Sequence, residues 1–275
     1  MSRLDGKVAI VTGASANIGG TVALGLAAEG ARVVCTDISA EVAEASVKRI
    51  EADGGEAIAV VGDVTEEAHA SDVVARTLAR WGHLDVLVNN AVMFNQKGLF
   101  DMPVEQYRRQ IDIILGGAFL FTREAARAMI DVGSGGSIIN VLSTAAWQGQ
   151  PGNIGYSTAK SGLINFTRSV AMELAEHGIR VNGFTPTATQ PRDPEILARM
   201  AAISREPGKY PMDFTGQFPM GRLPTPDDYV GSIVFLASDD SMMITGSNIT
   251  VDGGATAKYW PWAPHAGHDR YGSGS

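Results

Sequence analysis

The chain has 275 residues, of which 45% are hydrophobic and 19% charged, so it can bury a large core and is not expected to be disordered. Its formal net charge of −8 at pH 7 argues against general binding to nucleic acid or to an anionic membrane surface. The single cysteine, Cys35, excludes an intrachain disulfide, and its apolar neighbours favour a buried thiol over a reactive one. We find no signal pattern and no apolar run long enough to span a bilayer, so we expect a cytoplasmic protein without a membrane partner.

Seven short apolar segments are predicted to be strands, separated by stretches with helical periodicity. In chain order the strand segments are "KVAIVTG", "ARVVCTD", "EAIAVVGDV", "LDVLVNNA", "GSIINVLS", "IRVNGFTP" and "NITVDGG". Most are nearly all apolar, which is typical of parallel strands covered by helices on both faces. The helices between them include "GGTVALGLAAEG", which closes on Gly30, and "AEVAEASVKRIEADGG", which closes on Gly54 and Gly55. This alternation predicts one α/β domain over residues 1–257, a doubly wound parallel sheet of about seven strands with right-handed crossovers.

A glycine-rich turn, "TGASANIGG", joins the first predicted strand to the first helix. The free N–H groups at a helix N-terminus make such a turn suitable for the pyrophosphate of a dinucleotide. Asn17 stands where a glycine is expected. Because asparagine visits the left-handed region at modest cost, we predict that it adapts the loop and does not abolish the site. The cofactor contacts predicted in this loop are Gly13, Ser15, Asn17, Ile18 and Gly19.

Asp37 ends the second predicted strand, in "VVCTDIS". A carboxylate at this point suits the two hydroxyls of an adenosine ribose. A 2′-phosphate in the same place would bring like charges to about 4 Å, a repulsion of up to a few kcal/mol at an effective dielectric of about 20. No Arg or Lys lies beside Asp37 or within "ASAN" to offset this repulsion. We therefore predict NAD(H) as the cofactor rather than NADP(H).

Ser143, Tyr156 and Lys160 are the predicted catalytic residues. Tyr156 and Lys160 are four residues apart and so share one face of a helix. A phenol titrates near pH 10, and a nearby ammonium lowers its pKa by favouring the phenolate. Ser143 ends the fifth strand, 13 residues before Tyr156, where its hydroxyl can hold a substrate oxygen while the tyrosine exchanges a proton. A Tyr-x-x-x-Lys pair alone occurs by chance on many helix faces; the serine, the glycine loop and Asp37 give it weight.

These motifs resemble the classical type of the short-chain dehydrogenase/reductase family, over about Leu4 to Ala257. The likeness is carried by TGxxx(N)xG, where the family has TGxxxGxG, by "NNA" at Asn89 to Ala91, and by the serine and the Tyr-x-x-x-Lys pair. It implies a Rossmann-like fold and commonly a homotetramer. It also implies that Tyr156 is the general acid/base, that Lys160 binds the nicotinamide ribose and tunes Tyr156, and that Ser143 orients the alcohol or carbonyl. The cofactor contacts that it implies are Asp63, Val64, Asn90, Ala91, Tyr156, Lys160, Pro186, Thr187 and Thr189.

Besides Asn17, three further residues depart from the family pattern. Val92 and Thr187 replace glycines, and Ile114 replaces an asparagine that often holds a water in a proton relay. These departures keep open a second class of function, a dinucleotide-binding sensor or scaffold with weakened catalysis. A 3-oxoacyl-thioester reductase is a further alternative, although such enzymes usually use NADPH and a basic docking face.

The residues expected near the nicotinamide form a largely apolar wall. With Ser143, the predicted substrate contacts are Met93, Phe94, Ala145 and Trp147, although some of these can be plain core. This wall predicts a neutral, bulky or cyclic secondary alcohol or ketone as the small-molecule substrate. Residues 192–219 are predicted to form a lid, and 258–275 an aromatic tail, in which "KYWPW" packs on the body or on a neighbouring subunit and the end is disordered. The tail also contains residues of metal-ligand type, His265, His268 and Asp269. We interpret them as a chance cluster and predict no metal site.

Overall fold

The computed structural model describes residues 2–191 and 216–258, together with Pro194, Ala198 and Phe214. Seven parallel strands form one sheet, as the sequence predicts, and their order is β3-β2-β1-β4-β5-β6-β7. The strands are β1 Val8–Thr12, β2 Arg32–Asp37, β3 Ala57–Val61, β4 Val86–Asn89, β5 Gly136–Val141, β6 Ile179–Pro186 and β7 Asn248–Val251.

Seven α-helices connect and cover these strands in the described residues. They are α1 Ile18–Ala28, α2 Ala40–Ala52, α3 Glu67–Trp81, α4 Val104–Ile111, α5 Gly117–Val132, α6 Ile154–Leu174 and α7 Asp227–Ala237. A π-helical turn, Asp112–Gly116, joins α4 to α5 without a break. Within the part of the chain described, no helix is long and apolar enough to cross a membrane, and the cytoplasmic location stays a prediction.

The strands carry apolar side chains on both faces, and each face has its own core. Ala9 and Val11 of β1 pack in a cluster with side chains of α1, α2 and α7. Ile10, which lies between them, packs on the other face with side chains of α3 and α5. Because successive side chains of a strand point to opposite faces, an unbroken apolar run is required for helices to cover both. Cys35 lies in the first cluster, where burial raises the pKa of its thiol to about 12, so the expectation of an unreactive thiol agrees with its surroundings.

The strand order reverses at β1, which lies between β2 and β4. In open parallel sheets, a ligand crevice forms outside the carboxyl ends of the strands at such a switch point. The loops after β1, β2, β4, β5 and β6 all leave from this edge. The fold therefore brings the predicted site residues to one end of the sheet.

The predicted lid and tail lie largely outside the described residues. In the described part of the lid, Phe218 is buried and packs near Phe214, with ring centroids 6.2 Å apart. Lys258 is the one residue of the predicted tail that is described, and its ammonium donates to Gln217 Oε1 at 3.0 Å. The "KYWPW" aromatics after Lys258 and the cluster of His265, His268 and Asp269 lie beyond this point.

Candidate active site

The glycine loop after β1 is packed tightly enough to require two of its glycines. Gly13 has φ +67°, and a Cβ on it would lie 2.8 Å from the Cα of Ala91. A Cβ on Gly19 would lie 2.0 Å from the carbonyl oxygen of Gly13. A side chain at either position would force the loop open, so the loop requires glycine at both positions. Glycines also let the backbone come close to a bound pyrophosphate.

A hydrogen-bonded hub at the end of β1 ties this loop to the segment after β4. Thr12 Oγ1 accepts from the backbone N–H groups of Asn90, at 3.0 Å, and Ala91, at 3.1 Å. The Asn90 amide in turn donates to the carbonyl oxygens of Thr12, at 3.1 Å, and Gly13, at 2.8 Å. The predicted cofactor residues Asn90 and Ala91 therefore form the floor of the glycine loop.

Asn17 does not play the backbone role that we expected of it. Its φ is −101°, and no residue other than glycine has a positive φ in the described part of the chain. The left-handed reversal is made earlier, at Gly13, so the loop does not require that conformation at position 17. Asn17 precedes α1, and its Oδ1 is buried without a hydrogen-bond partner. The first turn of α1, which follows it, contains Ile18 and no acidic residue that would repel an anion.

Asp37 lies half-buried where β2 leads into α2. Burial raises the pKa of its carboxyl, whereas hydrogen bonds from the N–H groups of Ser39 and Ile38 lower it. Its Oδ1 accepts from Ser39 N at 3.0 Å. Ser39 also caps α2 by accepting from Val42 N at 3.4 Å. Asp37 thus has a structural function at a helix start as well as a position suited to ribose.

Asp63, predicted to contact adenine, is already paired within the protein. It accepts from Thr65 N at 3.0 Å and from Thr65 Oγ1 at 2.8 Å, and it forms an ion pair with Arg109 of α4. Burial raises the pKa of Asp63, but these contacts outweigh burial and its pKa is lowered. Val64 packs on Gly117, where a Cβ would lie 3.0 Å from the Val64 side chain. Arg109 could not be predicted from the sequence, because it lies 46 residues from Asp63 along the chain.

Ser143, Tyr156 and Lys160 come together beside the carboxyl end of β5. Ser143 follows the strand, is 8% exposed, and its Oγ accepts from Ala145 N at 3.1 Å. Tyr156, in the first turn of α6, is partly buried near Ser143, whose side chain acts to lower the pKa of the phenol. Lys160 lies one turn further on and is 2% exposed, with its ammonium donating to the carbonyl oxygen of Val141.

The protein groups alone do not lower the pKa of Tyr156, contrary to our expectation. Burial raises the pKa of Tyr156, and the nearby Ser143 side chain only partly offsets that effect. The Lys160 ammonium lies 5.8 Å from the centroid of the Tyr156 ring and has its own carbonyl partner. Burial also lowers the pKa of Lys160 to about 7, which weakens it as a permanent positive charge.

Phe94 and Trp147, two predicted wall residues, face different surroundings. The ring of Phe94 meets that of Tyr156 edge-on, with centroids 5.4 Å apart. The indole N–H of Trp147 points instead to Thr185 Oγ1, at 3.5 Å, and its side chain lines a cavity of about 200 Å³ with Arg168 and Asn248. Ala145 follows Ser143 by two residues and donates its N–H to the serine Oγ, so two of the four wall residues, Phe94 and Ala145, contact the tyrosine or the serine.

The segment after β6 connects the predicted nicotinamide contacts with Ser143. Pro186 ends the strand, and Thr187 Oγ1 accepts from Thr144, the neighbour of Ser143, at 3.2 Å. Thr189 Oγ1 lies 2.8 Å from both the Thr187 carbonyl oxygen and the Tyr229 hydroxyl.

Ser15, the remaining predicted cofactor contact, lies in the loop after β1, where its carbonyl oxygen accepts from Gly20 N at 2.6 Å.

Ile114 occupies the π-helical turn and is 2% exposed. It packs against Ala159 and Leu163 of α6, and it lines a cavity of about 10 Å³ with Lys160 and Asn89. That volume is close to the smallest that holds one water. The departure predicted from the sequence is therefore an apolar side chain placed directly beside the buried lysine.

Known proteins share both the sequence and the fold. The family model described as enoyl-(acyl carrier protein) reductase matches residues 13–256. The chain is 38% identical over 256 residues to an L-rhamnose 1-dehydrogenase (NAD(P)(+)) from a Sphingomonas species, covering 92% of this chain and 98% of that protein. It is 40% identical over 257 residues to a 3-oxoacyl-[acyl-carrier-protein] reductase from a Synechocystis species, with the same coverage of 92% and 98%.

A sorbitol dehydrogenase from Cereibacter sphaeroides is 35% identical over 254 residues, which cover 92% of this chain and 98% of that protein. Among solved structures, a short-chain type dehydrogenase/reductase from Mycobacterium marinum superposes with a TM-score of 0.81 at 32% identity. That match covers 93% of this chain and 97% of the other. The chain therefore belongs to the short-chain dehydrogenase/reductase family, and it is an oxidoreductase that acts on CH–OH groups with a nicotinamide cofactor.

Proposed function

We propose that this protein is an NAD(H)-dependent dehydrogenase that interconverts a secondary alcohol and a ketone. The observation that carries the proposal is the grouping of Ser143, at the carboxyl end of β5, with the partly buried Tyr156 and with Lys160 one turn away on the same helix. In the oxidation direction Ser143 holds the substrate oxygen and Tyr156 accepts the hydroxyl proton. In reduction Tyr156 returns a proton to the carbonyl oxygen. The bound nicotinamide supplies the acceptor or donor for the hydride.

The residues at the glycine loop fit a dinucleotide. Gly13 and Gly19 leave no room for side chains, and the first turn of α1 contains no acidic residue. Lys160 would bind the nicotinamide ribose, where its ammonium comes close enough to the Tyr156 hydroxyl to favour the phenolate. The raised pKa of Tyr156 therefore describes the protein without its cofactor.

Asp37 supports NAD(H) over NADP(H), because its carboxylate would repel a 2′-phosphate. The variant Asp37→Ser should raise the KM for NAD by more than tenfold and improve turnover with NADP. Initial rates with each cofactor measure this preference. Asp53→Ser, at the exposed end of α2, is the control and should leave both KM values unchanged. A wild-type enzyme that turns over only with NADP would overturn the proposal.

The proposed substrate is neutral and bulky or cyclic. The edge-on contact between Phe94 and Tyr156 supports an apolar wall beside the reacting carbon. Two relatives are named for L-rhamnose and sorbitol, so neutral sugars and polyols should head the substrate panel.

The proposal is tested by nicotinamide absorbance across this panel, comparing the wild type with Tyr156→Phe. Loss of the proton-exchanging hydroxyl should lower kcat by at least a hundredfold. Retained NADH binding, measured by fluorescence, shows that the variant is folded. Turnover that survives in Tyr156→Phe would refute the assigned general acid/base. A protein that binds NADH but turns over no substrate would support the sensor or scaffold alternative.

A second candidate is reduction of a 3-oxoacyl thioester. The Synechocystis relative, named as a 3-oxoacyl-[acyl-carrier-protein] reductase, favours it. The net charge of −8 argues against it, because acyl carrier proteins are acidic partners. Acetoacetyl-CoA with NADPH is the discriminating assay. A higher kcat/KM for that pair than for any neutral alcohol with NAD would make the thioester reductase the better assignment.

The proposal includes a homotetramer and no nucleic-acid partner. Apolar side chains on the outer faces of two long helices support the assembly: Phe119 of α5 is 48% exposed and Met172 of α6 is 65% exposed. Exposed apolar groups of this kind mark surfaces that associate with protein. The negative net charge supports the absence of nucleic acid.

A further inference from the structure

Gln110, in the last turn of α4, lies between the predicted substrate wall and the start of α6. It is fully buried, at 0% exposure, although its side chain is polar. Its Nε2 donates to the carbonyl oxygen of Met93 at 3.3 Å. On its other side, Oε1 lies against Gly155, where an added Cβ would come within 2.2 Å of it.

These two contacts fall on the immediate neighbours of an aromatic pair. Met93 precedes Phe94, and Gly155 precedes Tyr156. The Phe94 and Tyr156 rings meet edge-on at 5.4 Å and an interplanar angle of 83°. Gln110 therefore spans the backbone of both partners and limits how far the wall can move from the tyrosine.

The position is costly for an amide. Gln110 Oε1 is buried and has no hydrogen-bond partner, and a buried unsatisfied acceptor destabilises the folded state. An unbranched apolar side chain of the same length, methionine, would fill this space without that cost. Packing alone does not explain a glutamine here, whereas a requirement to hold the Met93 carbonyl does.

The wall needs such support because its outer residues have little other packing. Val92 is 50% exposed and Phe94 is 52% exposed. One turn earlier on α4, Gln106 Oε1 accepts from the Asn95 side chain at 3.1 Å. The Gln106 contact lies beyond Phe94 and holds the side chain of Asn95, whereas Gln110 holds the backbone at Met93.

We propose that Gln110 is a positioning residue that fixes the substrate wall at Met93–Phe94 relative to Tyr156. It acts through the backbone at positions 93 and 155 and not by touching the reacting atoms. The inference rests on the proposed function of Tyr156. It adds Gln110 as a residue that sets the distance and orientation of the wall relative to Tyr156.

The test compares Gln110→Met with Gln106→Met, the same substitution one turn away on the same helix. Steady-state kinetics use the best substrate of the neutral sugar and polyol panel with NAD. We expect Gln110→Met to lower kcat at least tenfold and to raise the KM for that substrate. Its NADH affinity should stay within twofold of the wild type, and its melting temperature should be unchanged or higher. Gln106→Met should keep kcat within twofold.

A purely structural role would lower the melting temperature of Gln110→Met and leave kcat and KM within twofold, and that result would overturn the inference. Because uncharged Gln110 does not titrate, the pH at half-maximal kcat should not move. If Gln110→Met does not fold, Gly155→Ala replaces it, since the added methyl would displace the amide from the other side. Wild-type kinetics in that folded variant would equally overturn the inference.

The two proposals fail in distinguishable ways. Turnover that survives in Tyr156→Phe refutes the proposed function and removes the basis for Gln110 as well. Loss of turnover in Tyr156→Phe together with unchanged kinetics in Gln110→Met refutes the inference alone.

Discussion

Burial of Lys160 lowers the stability of the folded protein at neutral pH. Its ammonium is buried and has the carbonyl oxygen of Val141 as a partner, and burial lowers its pKa from 10.5 to about 7. Between these two values the unfolded chain binds the proton more tightly than the folded protein does. The contribution of Lys160 to stability is therefore greatest above pH 10.5, and it falls as the pH decreases towards 7, by on the order of 4 kcal/mol. Such a cost in stability is consistent with the proposed role of Lys160 in binding the cofactor.

Replacing this lysine should separate stability from activity. We predict that cofactor-free Lys160→Met is more stable than the wild type at pH 7, because it carries no buried charge. The difference should shrink between pH 7 and pH 9.5, while turnover is lost. Urea unfolding at both pH values measures the effect, with Lys48→Met on the exposed face of α2 as the control. A Lys160→Met protein less stable at pH 7 than the wild type would contradict this account of its burial.

The sequence predicted that Ser143, Tyr156 and Lys160 lie at one edge of the sheet, but it did not predict their surroundings. Tyr156 and Lys160 had to share a helix face because they are four residues apart, and Ser143 had to end a strand at the same edge. Gln110 and Arg109 were not predicted, since their partners Met93 and Asp63 are distant along the chain. Burial and the resulting pKa shifts likewise depend on groups that only folding brings near.

At the scale of elements, Thr12 joins the ends of β1 and β4. Its hydroxyl accepts two backbone N–H groups, those of Asn90 and Ala91, and these residues support the glycine loop. Without the hydroxyl both buried donors would lose an acceptor, at a cost of about 1–3 kcal/mol each. These hydrogen bonds connect the glycine loop after β1 with the segment that follows β4.

Thr12→Val tests this connection between elements. Valine has nearly the shape of threonine but no acceptor, so we expect a loss of about 2 kcal/mol in unfolding free energy. We also expect at least tenfold weaker NADH binding, because the loop loses its floor. The control is Thr77→Val, which removes a buried hydroxyl that donates to Val73 O within α3, away from the loop. Equal NADH affinity in Thr12→Val and the wild type would show that the hub does not support the loop.

The sequence predicted all seven strands as apolar runs, because a strand covered on both faces must be apolar throughout. It did not predict the π-helical turn at Asp112–Gly116. Ile114 in this turn packs in one cluster with Ala159 of α6, and Gly117, which follows the turn, lies close against Val64. No short-range periodicity carries that information.

At the scale of the whole molecule, we predict a homotetramer of four times the 29.0 kDa chain mass. In the predicted assembly, the exposed apolar side chains of Phe119 and Met172 would lie at subunit contacts. Light scattering on the full chain measures the mass. We expect truncation of residues 259–275 to lower it, because the "KYWPW" aromatics are predicted to pack at a subunit contact. A monomeric full chain would contradict the tetramer, and an unchanged mass after truncation would contradict only the function of the tail.

The sequence by itself determined the strands, the parallel sheet and the edge at which the candidate site forms, because apolar periodicity and glycine spacing are local properties of the chain. It also determined the family, through motifs whose residues lie close together. Tertiary structure alone decided the apolar setting of Lys160, the pairing of Asp63 with Arg109 and the placement of Gln110 between wall and tyrosine. These features arise from burial and from contacts between distant segments, which no local pattern encodes.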